Sequence, residues 1–278
     1  MTTSVPVPVV LIHGLWLHAS SWDNWVTLLQ ERGYQPVAPG WPGDSATPEQ
    51  MRENPEPAAN HGIAEITDHY AAIIAALPAA PVIIGHSFGG LITERLLGLG
   101  VGRAGVAIAP AQFHGVHRLP LVQLESAWPV LGHPSNRTRA VPLTRDQFAG
   151  NFANAVPRAE ADALYDRYAI PSPALPLFEG AASAYSAKSD ASVDTAHERG
   201  PLLMIAGGDD RTVPASVVHS AYKIQQKNPA VTEYQLFPGR GHSQAIDHGW
   251  REVADCALDF LARAGVPGTP KAEASPGA

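Results

Sequence analysis

Six short apolar runs rich in Val, Ile and Leu recur along the chain, each followed by a glycine-containing loop. They occupy residues 7–12, 35–38, 81–85, 105–109, 202–206 and 233–237. Runs that are apolar on both faces suit parallel strands covered by helices on either side. Between them, apolar residues fall at helical spacing, as in 62–77 and 250–261. This alternation predicts an α/β fold: a doubly wound, mostly parallel sheet of about six strands.

One long segment, residues 112–195, breaks this alternation. It lies between the fourth and fifth strand candidates, shows no convincing strand pattern, and contains proline-punctuated helical pieces at 145–155 and 158–168. A structureless loop of this length is improbable in a compact domain, so a helical cap is expected over the sheet. The final residues are rich in Pro, Gly, Ala and Ser, which predicts a disordered tail. The expected division is a first core part at 1–112, the cap at 113–195, a second core part at 196–265 and the tail at 266–278.

Charge and hydrophobicity exclude other classes of protein. Hydrophobic residues make up 45% of the 278 residues and charged residues 16%, so most of the chain cannot be intrinsically disordered. Lys plus Arg number 19 against 26 Asp plus Glu, a formal net charge of -7. Nucleic acid is therefore not an expected partner, because proteins that bind it carry a basic excess or a dense basic stripe.

Cysteine and histidine usage argues against metal and disulfide chemistry. The single cysteine, Cys256, excludes an intrachain disulfide and a cysteine-rich metal site. The 12 histidines include no H-E-x-x-H or comparable spacing, so we expect no metal site. The catalytic chemistry expected below needs no organic cofactor either. The first apolar run is interrupted by Pro6 and Pro8 and has no basic residue before it. It fits neither a signal peptide nor a membrane span, and a cytoplasmic protein without membrane contact is expected.

The sequence Gly85-His86-Ser87-Phe88-Gly89 fits the nucleophile pattern G-x-S-x-G. It follows a strand candidate and opens a helical pattern, which is the context in which the motif has meaning. The sharp turn projects the serine hydroxyl at the carboxyl end of the sheet. The positive end of the following helix favours an oxyanion there. We therefore expect Ser87 to be a nucleophile.

A serine nucleophile needs a base, and the base needs an acid that orients it. His242 lies in a glycine-bordered loop after the last strand candidate, and Asp209 and Asp210 follow the fifth. The order serine, aspartate, histidine accompanies this motif in α/β sheets. These residues alone leave the choice between the two aspartates open. His13, in the loop after the first strand, is expected to tether loops beneath the site rather than to act as a base.

From residue 5 to residue 264 the chain resembles the α/β-hydrolase superfamily. The matching motifs are His13-Gly14, the G-x-S-x-G sequence at Ser87, the D-x-x-V-P sequence at Asp210 and Gly241-His242. The resemblance implies that Asp210 rather than Asp209 is the acid. It also implies that the backbone N–H groups of Leu15 and Phe88 form the oxyanion hole.

The sequence departs from the superfamily pattern in one respect, since there is no room for two antiparallel strands before Val7. In this it is similar to the smaller bacterial serine esterases and to the plant branch of methyl esterases and hydroxynitrile lyases. The lyases carry a lysine directly after the catalytic histidine, where this chain has Ser243. Dehalogenases and epoxide hydrolases carry aspartate at the position of Ser87. The resemblance therefore favours a serine esterase.

The expected function is the cleavage of carboxylic esters of small to medium apolar groups, through Ser87, His242 and Asp210 and an acyl-enzyme. Its partner is a small-molecule ester, and the oligomeric state is left open. Candidate pocket residues are Trp16, Phe113, Phe148, Phe152, Tyr165 and Phe178. Alternatives that stay open are a lactonase or thioesterase with the same triad, and a carbon–carbon hydrolase or cofactor-free oxygenase with His242 as base. A non-catalytic ligand-binding protein is a further alternative.

Overall fold

The main sheet of the protein has six parallel strands flanked by helices. The computed structural model describes residues 6–183 and 189–269. The strands of this sheet are β1 (Pro8–Ile12), β2 (Gln35–Val37), β3 (Val82–His86), β4 (Ala104–Ile108), β7 (Leu202–Gly207) and β8 (Thr232–Phe237). Their order is β2-β1-β3-β4-β7-β8, and every neighbouring pair is parallel. The predicted α/β fold and its six strands are confirmed.

Ten α-helices are present in the described part of the chain. They are α1 (Asp23–Glu31), α2 (Pro48–Glu53), α3 (Ile63–Ala75), α4 (Phe88–Gly98), α5 (Leu121–Leu131), α6 (Arg145–Gln147), α7 (Arg158–Tyr168), α8 (Leu175–Ala182), α9 (Ala215–Gln225) and α10 (Trp250–Arg263). A π-helical turn, Phe148–Phe152, continues α6. None of these helices combines the length and apolar character needed to cross a bilayer.

The centre of the sheet forms the hydrophobic core. Every residue of β1, β3 and β4 is buried, which explains why these strands read as continuous apolar runs. Helix α3 buries Ile63, Ile66 and Tyr70 on one face, and this spacing is the one its sequence showed. The β8 strand lies at the sheet edge and is mostly half-buried or exposed. Because the strands are parallel, the loops after β3, β7 and β8 emerge at the same edge of the sheet.

The segment between β4 and β7 holds α5 to α8, and we refer to residues 113–195 as the cap segment. It also contains two short antiparallel strands, β5 (Ala140–Val141) and β6 (Ser172–Pro173). The expectation of a segment without strands was therefore wrong. Strands of two residues are too short to show a period-two pattern in a sequence. The cap segment is fastened to the body where Glu179 accepts a 2.7 Å hydrogen bond from the Ile63 N–H.

The first residues of the predicted tail pack on the body. Val266 is buried, and the Tyr34 hydroxyl donates to its carbonyl oxygen at 2.8 Å. The Thr269 N–H donates to the Gly33 carbonyl oxygen at 3.1 Å. Residues 266–269 are thus part of the folded body rather than of a disordered tail. Residues 270–278 of that prediction lie outside the described residues.

A buried carboxyl group that the sequence did not single out lies on α4. Glu94 is 1% exposed, and one of its oxygens accepts a 2.9 Å hydrogen bond from the Gln225 amide. Burial raises the pKa of Glu94 to about 8, although Gln225 and the Arg199 guanidinium oppose the shift. The folded protein thus holds a proton that the unfolded chain releases above its ordinary pKa. Folding stability must therefore fall as the pH rises from about 4.5 to about 8.

We predict that Glu94→Gln removes this pH-dependent loss, because the amide mimics the neutral carboxyl group. The gain in unfolding free energy over wild type should be below about 1 kcal/mol at pH 5 and a few kcal/mol at pH 9. Urea unfolding at both pH values measures it. Glu31→Gln, at an exposed position on α1, is the control and should show no such trend. A Glu94→Gln effect of equal size at both pH values would contradict the prediction.

Candidate active site

Ser87 occupies a strained backbone turn between β3 and α4. Its φ of 56° and ψ of −122° lie where residues other than glycine are rare. Such strain costs about 1–3 kcal/mol and persists only where the surrounding structure fixes it. Here the Ser87 N–H donates to the Ile108 carbonyl oxygen at 2.9 Å, and the Ser87 carbonyl oxygen accepts from the Ala111 N–H at 3.0 Å. The neighbouring strand β4 and the loop after it therefore hold the turn in place.

Two glycines allow this turn to pack against the loop after β1. A Cβ atom on Gly89 would overlap the Ile12 carbonyl oxygen, and one on Gly14 would lie 2.6 Å from the Ser87 Cβ. Real Cβ atoms do not approach so closely. The H-G and G-x-S-x-G motifs thus meet in space, and each glycine provides room for the other segment's backbone or side chain.

His242 and Asp210 form a buried pair in the loops after β8 and β7. The His242 Nδ1 lies 2.7 Å from the Asp210 Oδ2, and both side chains are fully buried. The other carboxyl oxygen of Asp210 accepts from the N–H groups of Thr212 and Val213 at 2.8 and 2.7 Å. Asp209 is exposed. The structure therefore brings Asp210, and not Asp209, to His242, as the resemblance implied.

The contact with Asp210 decides which His242 nitrogen carries the proton. A carboxylate only accepts hydrogen bonds, so the Nδ1 of His242 is the donor and its Nε2 is left as the basic nitrogen. Within the described residues, this Nε2 is buried and has no hydrogen-bond partner. The arrangement can therefore take a proton from a hydroxyl group brought to the Nε2.

His86 and Phe152 pack on the His242 ring from two directions. The ring centroid of His242 lies 4.6 Å from that of His86 and 4.8 Å from that of Phe152, with the Phe152 ring edge-on. The Nε2 of His86 donates to the His242 carbonyl oxygen at 2.8 Å. Burial, reinforced by the nearby His242, holds the pKa of His86 well below its usual value. His86 thus stays neutral and links the nucleophile motif to the histidine loop.

The loop of His242 is also held from its far side. Asp247 is buried, forms an ion pair with Arg240, and accepts a 2.8 Å hydrogen bond from the Ser243 hydroxyl. Burial raises the pKa of Asp247, and Arg240 opposes that shift. These contacts join residues on both sides of His242, so the loop has few ways to move the ring.

The amides expected to bind an oxyanion lie beside Ser87. Phe88 begins α4, and Leu15 lies in the loop after β1, whose Gly14 packs on Ser87. In residues 6–183 and 189–269, neither the Leu15 nor the Phe88 N–H donates to a protein acceptor. The next residue, Trp16, has a φ of 65°, and its N–H donates to the Ser172 hydroxyl at 2.7 Å. The cap segment thus helps to fix the loop that carries Leu15.

His13 occupies a structural position beneath this loop. Its Nε2 lies 3.1 Å from the Asp44 carboxylate, and its ring stacks on the Trp41 ring at 5.3 Å. The Trp41 indole N–H donates to the His13 carbonyl oxygen at 3.1 Å. These contacts agree with the tethering role expected for His13.

A cavity of about 270 Å³ opens onto the nucleophile turn and is lined by Ser87 and Phe88. Its volume is near the lower end of the range of about 300–1,000 Å³ found for ligand sites. The further lining residues are mostly small or aliphatic and come largely from the cap segment: Trp16, Ala111, Gln112, Leu119, Gln123, Leu124, Ser126, Ala127, Leu131, Leu177, Gly180, Ala181, Thr212 and Val213.

Of the six predicted pocket residues, Trp16 is among the described residues that line this cavity, and the other five are not. The five excluded residues are Phe113, Phe148, Phe152, Tyr165 and Phe178. Phe148 and Phe152 are buried and stacked at 4.8 Å beneath the histidine loop. The Tyr165 hydroxyl donates to the Leu143 carbonyl oxygen at 2.9 Å. Phe113 belongs to the hydrophobic core, and Phe178 is half-buried and packs against that core.

The pocket prediction was therefore wrong for these five aromatic residues, because aromatic side chains bury the most area and serve first to pack the cap segment. The sequence analysis also missed four leucines that form part of the cavity wall. Leu119, Leu124, Leu131 and Leu177 line it. The sequence did indicate this wall, since residues 119–131 hold several leucines and lie outside the strands that form the core of the sheet.

A parallel sheet with a serine on a strained strand-to-helix turn, and a His–Asp pair at neighbouring strand ends, defines the α/β-hydrolase class. The model of the alpha/beta hydrolase family matches residues 9–256, so the chain belongs to this family. Among curated proteins, none matches the chain at a significant level.

Several solved structures share the fold. A monoacylglycerol lipase of Paleococcus ferrophilus is 22% identical, with 92% of this chain and 94% of that chain covered and a TM-score of 0.62. A polyneuridine aldehyde esterase is 19% identical, with 92% of this chain and 99% of that chain covered and a TM-score of 0.62. An extracellular hydrolase from a Paenibacillus species, described as homologous in structure and function to tobacco salicylic acid binding protein 2, is 19% identical. That match covers 91% of this chain and 98% of the Paenibacillus chain, with a TM-score of 0.65.

We predict that Asp210→Asn lowers kcat by about four orders of magnitude. The Thr212 and Val213 N–H groups should retain the amide oxygen and turn its NH₂ group to the His242 Nδ1, which favours the wrong tautomer. Asp209→Asn is the matched control, since its side chain is exposed, and it should stay within about twofold of wild type. Steady-state hydrolysis of p-nitrophenyl butyrate by both variants measures the difference. Equal losses in the two variants would refute the assignment of Asp210.

Proposed function

We propose that this protein is a serine hydrolase that cleaves carboxylic esters of small to medium apolar groups. The observation that carries the proposal is the buried His242–Asp210 pair, which leaves the His242 Nε2 unpartnered within the described residues. A histidine so oriented is the base that a serine nucleophile requires. Ser87, on its strained turn at the same sheet edge, is the nucleophile that the fold offers.

In the proposed acylation step, the Ser87 Oγ forms a bond to the ester carbonyl carbon and gives its proton to the His242 Nε2. The carbonyl oxygen becomes an oxyanion, and the imidazolium is stabilised by Asp210. When the bond to the alcohol oxygen breaks, the same proton passes from His242 to the departing alcohol. The product of this half-reaction is an acyl-enzyme on Ser87.

Deacylation repeats these steps with water. His242 takes a proton from the water molecule as its oxygen attacks the acyl carbon, and returns that proton to the Ser87 Oγ as the acid leaves. In both steps the amides of Leu15 and Phe88 donate to the oxyanion. Losing one donor of this kind costs about 3 kcal/mol of transition-state stabilisation.

The cavity supports an apolar substrate group of limited size. Its volume is about 270 Å³ and its walls are mainly aliphatic, so a short to medium alkyl chain gains free energy by leaving water. Among the structural relatives are a lipase and an esterase by name. Lactones and thioesters fit the same machinery, and a substrate panel of esters, lactones and acyl thioesters ranks them by kcat/KM.

We predict that Ser87→Ala and His242→Ala each remove most of kcat and that the double variant is little worse than either. Residues that act as one unit show this non-additivity. A fluorophosphonate probe should label wild type and not Ser87→Ala. Multiplicative losses would argue against a shared mechanism. Absent labelling of wild type, together with inactivity on the panel, would point to a ligand-binding protein instead.

We predict that Leu177→Ala shifts the preferred acyl chain of p-nitrophenyl esters to greater length, because truncation enlarges the cavity that Leu177 lines. For the chain that fits wild type best, kcat/KM should fall by a factor of about ten or more, since a methylene in a fitted pocket is worth about 1–3 kcal/mol. The control is Phe178→Ala on the same helix. Its side chain packs against the core and is not among the residues that line the cavity, so its profile should match wild type. A shift in Phe178→Ala alone would place the pocket elsewhere.

A further inference from the structure

Two glutamine side chains interrupt the apolar lining of the cavity. Gln112 lies just after Ala111, whose N–H donates to the Ser87 carbonyl oxygen at 3.0 Å, and Gln123 lies on α5. Both line the cavity. The Gln123 Nε2 donates to the Gln112 Oε1 at 2.9 Å. The pair therefore joins the cap helix to the loop that supports the nucleophile turn.

This hydrogen bond fixes the orientation of the Gln112 amide. Its oxygen is engaged by Gln123, while its NH₂ group makes no hydrogen bond to the described protein and is not enclosed by it. Since a primary amide has two N–H donors, Gln112 offers a held polar group to the space in front of it. The Gln123 Oε1 is buried without a partner in the described chain, whereas its Nε2 is the atom that holds Gln112.

The other polar side chains of the wall engage one another. The Ser126 and Thr212 hydroxyl oxygens lie 3.3 Å apart, and the Thr212 hydroxyl donates to the Asn151 carbonyl oxygen at 3.2 Å. In the described chain, Gln112 is thus the side chain of the cavity wall, apart from Ser87, whose donor group has no protein partner; that group is its amide NH₂. In an apolar cavity, one oriented polar group of this kind provides specificity.

We propose that Gln112 is a specificity-determining residue that selects esters bearing a hydroxyl group within a few carbons of the scissile ester bond, and that Gln123 positions its amide. This inference rests on the proposed esterase function and names its substrate class. The position of Gln112, one residue after Ala111, places the recognised group near the ester rather than at the chain end. In the orientation that Gln123 holds, a substrate hydroxyl oxygen accepts from the Gln112 amide N–H.

The test compares matched esters on wild type and Gln112→Met, which keeps the length of the side chain and removes its hydrogen-bonding atoms. The ester pairs are methyl 3-hydroxyoctanoate against methyl octanoate, and 2-hydroxyethyl octanoate against ethyl octanoate. Wild type should prefer the hydroxylated member of at least one pair by about five- to tenfold in kcat/KM, as one buried hydrogen bond gives. Gln112→Met should bring that ratio to about one. Wild type should not prefer methyl 8-hydroxyoctanoate over methyl octanoate in kcat/KM, because its hydroxyl group lies at the far end of the chain.

Two further variants separate recognition from a general change in the cavity. Gln123→Met should lower the ratio partly, because the Gln112 amide loses its tether. Leu124→Met alters the same cavity without touching a polar group and should leave the ratio as in wild type. A wild-type ratio of one for both pairs, or a preference that survives in Gln112→Met, would overturn the proposal. Unchanged melting temperatures and fluorophosphonate labelling verify that each variant is folded.

Failure of this inference can be told from failure of the esterase function. If methyl octanoate is hydrolysed and Ser87→Ala abolishes the reaction, the esterase proposal holds whatever the ratios are. If no ester is hydrolysed, binding of the paired esters to the protein is measured by calorimetry. Tighter binding of the hydroxylated member that disappears in Gln112→Met then supports Gln112 as a recognition residue, and equal binding refutes it.

Discussion

The close approach of two backbone segments around Ser87 is the constraint on which the site depends. The loop after β1 and the turn from β3 to α4 pack so tightly that Gly14 and Gly89 have no space for a Cβ atom. Through Gly14, this contact places the loop that carries Leu15 directly against Ser87. It also supports the left-handed backbone of Ser87, which would otherwise relax at a gain of about 1–3 kcal/mol. The turn at Ser87 and the loop after β1 thus form one packing unit.

The sequence predicted the sheet because its strands are buried on both faces, so that β1, β3 and β4 read as uninterrupted apolar runs. Parallel pairing then places the ends of β3, β7 and β8 at one edge, and the G-x-S-x-G motif and the chain order of serine, aspartate and histidine single out Ser87 and His242 there. The acid did not follow. Asp209 and Asp210 are adjacent and chemically identical, and only the family pattern, and then the 2.7 Å contact with His242, distinguishes them.

The sequence predicted that the cap segment exists and is helical, but it did not predict which of its side chains line the cavity. Which side chains line a cavity depends on how α5 and α8 lie over the sheet, and no local period encodes that placement. Phe148 and Phe152 read as pocket residues, yet they form a stacked pair that packs beneath His242. The two-residue strands β5 and β6 and the burial of Val266 have the same origin, since contacts between distant parts of the chain create them.

The hydrogen bond from the Trp16 N–H to the Ser172 hydroxyl runs from the loop after β1 to the cap segment, and a second bond runs from the Ile170 N–H to the Trp16 carbonyl oxygen. In evolutionary terms, the insertion is consequently not a free module. A replacement cap without a hydroxyl group at the position of Ser172 would leave the Trp16 N–H without this partner, in the loop that also carries Leu15.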